Sequence, residues 1–362
     1  MRKARTNRRK RSGHNKCSRQ DNSLRFGAAL DHALTLIDSI CCLAGDEQLI
    51  GNQSNPEIKK LRRAIQEHDT GYLFAQLMEA FSLQGISDHA AYVYMEKHGR
   101  LTWRDLERST ARKTECSKLR SYWTYTECGY RKGSNTCAKP EILSVCPVPT
   151  HDLRNGRLNQ TGYTLFMFIR DVADGDLVHW IDTRLEQASA GNIRSCALRM
   201  RNALVQPLCN IHGVSEKVAN MTMAWLLTSA PPSKPLWLEG GASMIAIDTL
   251  VHNFLHRTGI LCRFNAEHAY GPACYEPNGC ADLIVQVAKR IDARETNPNY
   301  PKYFPRFVQH AIWRWCSQGG LDICNGNRID DRFRCNNRGC PLFNLCRRVA
   351  LQLSPARKTT PM

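Results

Sequence analysis

The chain has 362 residues, 42% of them hydrophobic, and a formal net charge of +17. That length and apolar content allow a sizeable core in one large domain or two. A charge surplus of this size points to a polyanionic partner, most often nucleic acid.

The first sixteen residues carry eight basic groups and no acid, so +9 of the +17 belongs to the rest of the chain. Residues 1–24 read as a disordered basic arm. No apolar run follows this head, which argues against secretion. The best apolar stretch, YTLFMFI, stops at Arg170 and Asp171, far short of a membrane span. The expected location is cytoplasmic (nucleoid-associated) or nuclear, with no membrane partner. The chain has 17 cysteines, which in a large protein without a signal read as metal ligands and free buried thiols.

Helical periodicity begins at FGAALDHALTLIDSICCLAG, where Leu30, Ala33, Leu34 and Ile37 share a face. PEIKKLRRAIQEH and GYLFAQLMEAFSLQG follow, the second ending at a glycine. Residues 97–160 read as irregular and hold Cys116, Cys128, Cys137 and Cys146. The last three are spaced C-x8-C-x8-C, a loose candidate for a second metal site. Helical patterns resume over 163–228, 243–257, 281–293 and 304–316, and strand signals are sparse. The expectation is a mostly α protein: an arm over 1–24, a helical, cysteine-containing region over 25–160, a core over 161–348 and a tail over 349–362.

Within that core, CNIHGVSEKVANMTMAWLL has a readable layout. One helix ends near Cys209. A turn over His212–Ser215 opens a second helix, with Val218, Met221 and Trp225 at helical spacing. Gly213 permits a backbone conformation closed to other residues. Free amides at the turn, from Gly213, Val214 and Ser215, form a ready site for a phosphate oxygen. Lys217 falls in the first turn of the second helix, where the helix dipole disfavours a cation and lowers its proton affinity. A neutral amine is a nucleophile. Further on, SMIAIDTLVHNFLHRTGIL places Ile247, Leu250, Val251, Phe254 and Leu255 on one apolar face, with Asp248 near the helix start. An aspartate there complements the dipole.

Cys324, Cys335, Cys340 and Cys346 then occur as C-x10-C-x4-C-x5-C. Four thiolates so spaced close a tetrahedral sulfur site, either zinc or a four-iron cluster. Arg328, Arg332, Arg334, Arg338, Arg347 and Arg348 outnumber Asp330 and Asp331 in this loop, which offsets thiolate charge and suits a phosphate backbone.

GVSEKVAN, AIDTLVHNFLHRTG and the four-cysteine loop, in that order, resemble the endonuclease III branch of the helix-hairpin-helix DNA glycosylases. The resemblance covers about 205–348, and the helical region from about 160 is taken with it. It implies a two-lobed, all-helical fold with DNA bound across the cleft. It implies Lys217 as Schiff-base nucleophile, Asp248 as catalytic carboxylate and a 4Fe-4S cluster on the four cysteines. Gln160 matches the polar residue that fills the gap left by a flipped base. Ser215 replaces the second glycine of the family's hairpin, which requires a backbone outside the left-handed region there. TSAPPSKPLWLEGG reads as an extra loop between Lys217 and Asp248. The expected function is a monomeric DNA glycosylase of base excision repair with abasic-site lyase activity, acting on double-stranded DNA with a damaged base or abasic site. The rival is a non-catalytic iron-sulfur DNA-binding protein on the same scaffold.

Overall fold

The structure is a computed structural model, and it describes residues 17–46, 49–51, 55–83, 88–111, 116–125, 128, 156–190 and 196–352. Among these every regular element is a helix, as the sparse strand signals predict. Most of the basic arm lies outside the described residues. Helix α1 (Cys17–Ala44) begins inside the stretch expected to be unstructured. Its apolar face is as read, with Leu30, Ala33 and Ile37 buried. Residues Phe26–Ala44 are also long and apolar enough to cross a membrane by length and composition. This helix, 39% buried, overturns the expectation that no stretch approaches membrane-spanning length, although Asp31 and Asp38 lie within it.

The helices fall into two compact units that do not follow the linear partition expected from sequence. One unit takes residues 45–248 and 292–310. It contains α2 (Pro56–Gln66), α3 (Thr70–Ser82), α4 (Asp88–His98), α5 (Trp103–Ala111), α6 (Tyr122–Tyr125), α7 (Gly156–Asp171), α8 (Leu177–Ser189), α9 (Cys196–Cys209), α10 (Glu216–Thr228) and α11 (Pro235–Ala242). The stretch expected to be irregular therefore holds α5 and α6. The boundary drawn at 160 falls inside α7, and the extra loop before Asp248 carries α11. Asn55 caps α2 by accepting from the Glu57 amide, with Pro56 at the first helical position, the preferred start of a helix. The core of this unit centres on Phe74, Phe81, Tyr163, Phe166, Phe168 and Trp237, all essentially fully buried.

The other unit is assembled from residues 1–44, 249–291 and 311–362. It contains α1, α12 (Thr249–Arg257), α13 (Ile260–Arg263), α14 (Cys280–Ala288), the last turns of α15 (Pro305–Cys316) and the four-cysteine loop. Helix α1 packs on α13 and α14. Both ends of the described chain thus build one unit. Val349, Leu351 and Gln352 donate backbone hydrogen bonds to Arg257 and Asp331, so the loop runs on into the expected tail.

Candidate functional site

The hairpin is built as its sequence implies. Helix α9 stops at Cys209, and the chain turns through Ile211–Val214, where the Val214 amide donates to the Ile211 carbonyl at 3.0 Å and so is not the free phosphate donor expected from sequence. Gly213 sits at φ +85°, in the left-handed region that favours glycine. Ser215 is extended at φ −87°, so serine fits there, and its hydroxyl caps α10 at the Val218 amide. Arg201 on α9 locks the pair: it donates to Asn220 Oδ1 at 2.9 Å and pairs with Glu216. Thr161 on α7 donates to the His212 carbonyl at 2.6 Å and anchors the turn from below. Lys217 is half-buried one residue into α10.

The apolar face read for α10 is not the buried one. Val218 is buried, Met221 is half-buried and Trp225 is exposed. Ala219, Met223, Ala224, Leu226 and Leu227 make the packing surface instead. Gln160 lies within α7 and is buried, with its carbonyl taking the Thr164 hydroxyl. Asp248 belongs to the hairpin's unit and is half-buried. It directly precedes α12, after the non-helical, buried run Met244–Ile247.

After burial, the neighbouring Cys324, Cys340 and Cys335 thiols each help to raise the Cys346 thiol. Burial, first, pushes the Cys340 and Cys346 thiols up, the latter to about 11. Cys324 is held below the usual thiol range, first by a hydrogen bond with Cys316 and then, against burial, by the Arg257 guanidinium. Cys316, at the end of α15, is a fifth thiol that sequence reading did not connect to the loop. Arg257 is almost wholly buried. Its Nη2 pairs with Asp331 at 2.5 Å, and the guanidinium also faces Cys324. The expected arginine surplus is partly neutralised in place, because Arg328 pairs with Asp322 and Arg332 with Asp330. Of the looser cysteine set, only Cys128 lies among the described residues; Cys137 and Cys146 lie outside them.

A different group closes tightly. His252, His268, Cys274 and Cys280 bring one ligand atom each to within 4.8 Å of the others, and could hold a metal ion. His252 Nδ1 lies 3.4 Å from Cys280 Sγ and 3.5 Å from Cys274 Sγ, and His268 Nε2 lies 3.4 Å from Cys280 Sγ. His252 comes from α12, Cys280 opens α14, and Cys274 ends the 3-10 turn Pro272–Cys274. A hydrogen bond between the two thiols pulls Cys274 down and, together with burial, pushes Cys280 up. Sequence reading missed this group. His252 sits on an amphipathic helix beside its apolar face, and H-x15-H-x5-C-x5-C is wider than a compact metal knuckle. The available signal was two cysteines and a histidine in the turn-rich stretch AEHAYGPACYEPNGC.

Compared with known proteins, the chain matches no family model, no curated protein and no solved structure.

Proposed function

We propose that the protein is a DNA glycosylase of the helix-hairpin-helix type with abasic-site lyase activity. The observation that carries this reading is the hairpin, where α9 and α10 are joined through left-handed Gly213 and Lys217 stands in the first turn after the Ser215 cap. Such a turn suits a phosphate oxygen of a DNA strand, and it puts a lysine where a cation is disfavoured. The two-unit, all-helical architecture is compatible with the same reading.

In this mechanism the damaged nucleotide leaves the stack, at a cost of a few kcal/mol that damage lowers. The Lys217 amine, having given up a proton, forms a bond to the sugar C1′ as the bond from C1′ to the base breaks. The base departs with the bonding pair and takes up a proton. Asp248 stabilises the positive charge that develops on the sugar. Ring opening gives an imine between Lys217 and C1′. Loss of a C2′ proton then expels the 3′ phosphate and nicks the strand.

Cys324, Cys335, Cys340 and Cys346 are proposed to hold a four-iron cluster, with zinc as the lesser alternative. What supports this is the chemistry of the donors: four thiols in one loop, with buried Arg257 beside Cys324 as a cation suited to an anionic thiolate-bound group. When bound, such a cluster would supply the cross-link that folds the loop.

Borohydride reduction of the imine to a permanent crosslink tests the reading. Wild-type protein should trap on an abasic duplex. Lys217→Ala should still bind that duplex but not crosslink. Asp248→Asn should bind and remove the base about two or more orders of magnitude more slowly, with an unchanged melting temperature. Crosslinking by Lys217→Ala at the wild-type rate would mean another amine is the nucleophile. A wild-type protein that binds DNA but reacts with no lesion or abasic site would be the non-catalytic scaffold.

A further inference from the structure

We infer that His252, His268, Cys274 and Cys280 form a structural zinc site, separate from the four-cysteine loop. The geometry points to one ion of this size. Zinc bonds of about 2.3 Å to sulfur and 2.0–2.1 Å to nitrogen, set tetrahedrally, place each nitrogen about 3.6 Å from each sulfur. The three measured edges are 3.4, 3.5 and 3.4 Å. A two-iron cluster with the same residue types holds its cysteines on one iron and its histidines on the other. The His252 nitrogen here is within 3.5 Å of both sulfurs, too close for that arrangement. Mixed thiolate and imidazole donors suit zinc rather than magnesium or calcium, which take oxygen.

The surroundings are those of a closed site. Cys274 and Cys280 are wholly buried and His252 nearly so. Four protein ligands leave no open position for a substrate, which is the mark of a structural centre. The Ala266 carbonyl, 2.7 Å from His268 Nδ1, accepts that ring's N–H and leaves Nε2 with its lone pair facing the thiols. The segment needs such a centre. From Cys262 to Asn278 the only buried residue is Cys274. A connection with no apolar core of its own cannot offset the entropy of its ordering by burial, and a bound ion can.

The test uses full-length, tag-free protein purified without chelator. Metal analysis should find about one zinc per chain, or about two if the loop also holds zinc, and X-ray absorption at the zinc edge of Cys335→Ser protein, whose loop is broken, should show two sulfur and two imidazole ligands. Cys280→Ser should lower zinc about tenfold or more, whereas His268→Cys, which keeps four ligands, and Cys335→Ser, in the other loop, should retain it. Stripping the ion from wild-type protein should open residues 264–278 to protease, and added zinc should close them again. Zinc-free wild-type protein, a zinc edge showing four sulfurs, or full zinc in Cys280→Ser would each overturn the proposal.

Discussion

Gly279 shows how closely the chain is folded at the residue scale. A Cβ built there would lie 2.3 Å from the Ala273 carbonyl oxygen and 2.9 Å from the backbone of Cys274. Backbone cannot yield as a side-chain end can, so Gly279→Ala must push the 3-10 turn away from α14. The expected cost is about 1–3 kcal/mol, as for other overpacked sites. Because the turn carries Cys274 and α14 carries Cys280, zinc affinity should fall in the same variant. Calorimetry with metal analysis checks both, and a fully zinc-loaded, unshifted Gly279→Ala protein would show that the turn has room to move. The glycine stood in plain view in the sequence, but its reason did not. Gly213 could be read because a turn between two helices demands a left-handed residue. Gly279 has ordinary φ and matters only for what approaches it in space.

Helix α12 and its terminus matter at the element scale. Gly259, at φ +81°, ends the helix. The Thr258 and Arg257 carbonyls then accept the amides of Arg347 and Val349, so the far end of the cysteine loop satisfies the last turn of α12. Arg257 reaches from the same turn to Asp331. Asp331→Ala leaves that guanidinium buried without its counter-charge. Asp331 is 26% exposed, so the loss should be about 2–3 kcal/mol, below that of a wholly buried pair. Hydrogen exchange should accelerate at Arg347 and Val349, while the hairpin helices keep wild-type protection. Uniform exchange at both places would mean that the pair does not hold the loop. Elements of this kind were unevenly legible. α2, α3, α14 and α15 fall where periodicity put them, because each is amphipathic with a one-sided core face. The packing face of α10 was misread because the helix is buried on nearly every side, and residue size rather than polarity decides its contacts. α11 hid in a stretch rich in proline and glycine, where Pro235 opens a helix instead of breaking one.

Charge is a property of the whole molecule. Eight of the basic residues precede Cys17. If they track phosphates, deleting residues 1–16 should flatten the dependence of duplex affinity on salt, by about 0.9 in log–log slope for each phosphate they neutralise. Titrations across a salt series read this directly, and an unchanged slope would assign the arm to something other than DNA. The two-unit division was not legible at this scale, since hydrophobic pattern reports faces along the chain and not which distant segments meet. It also imposes a timetable on synthesis. Helix α1 is translated early, yet its partners α13 and α14 follow only some two hundred residues later. At 5–20 residues per second that is a wait of roughly ten to forty seconds. Throughout it, the most membrane-like stretch among the described residues, Phe26–Ala44, lacks the helices α13 and α14 it packs on. While that wait lasts, α1 is the segment open to chaperones and to aggregation.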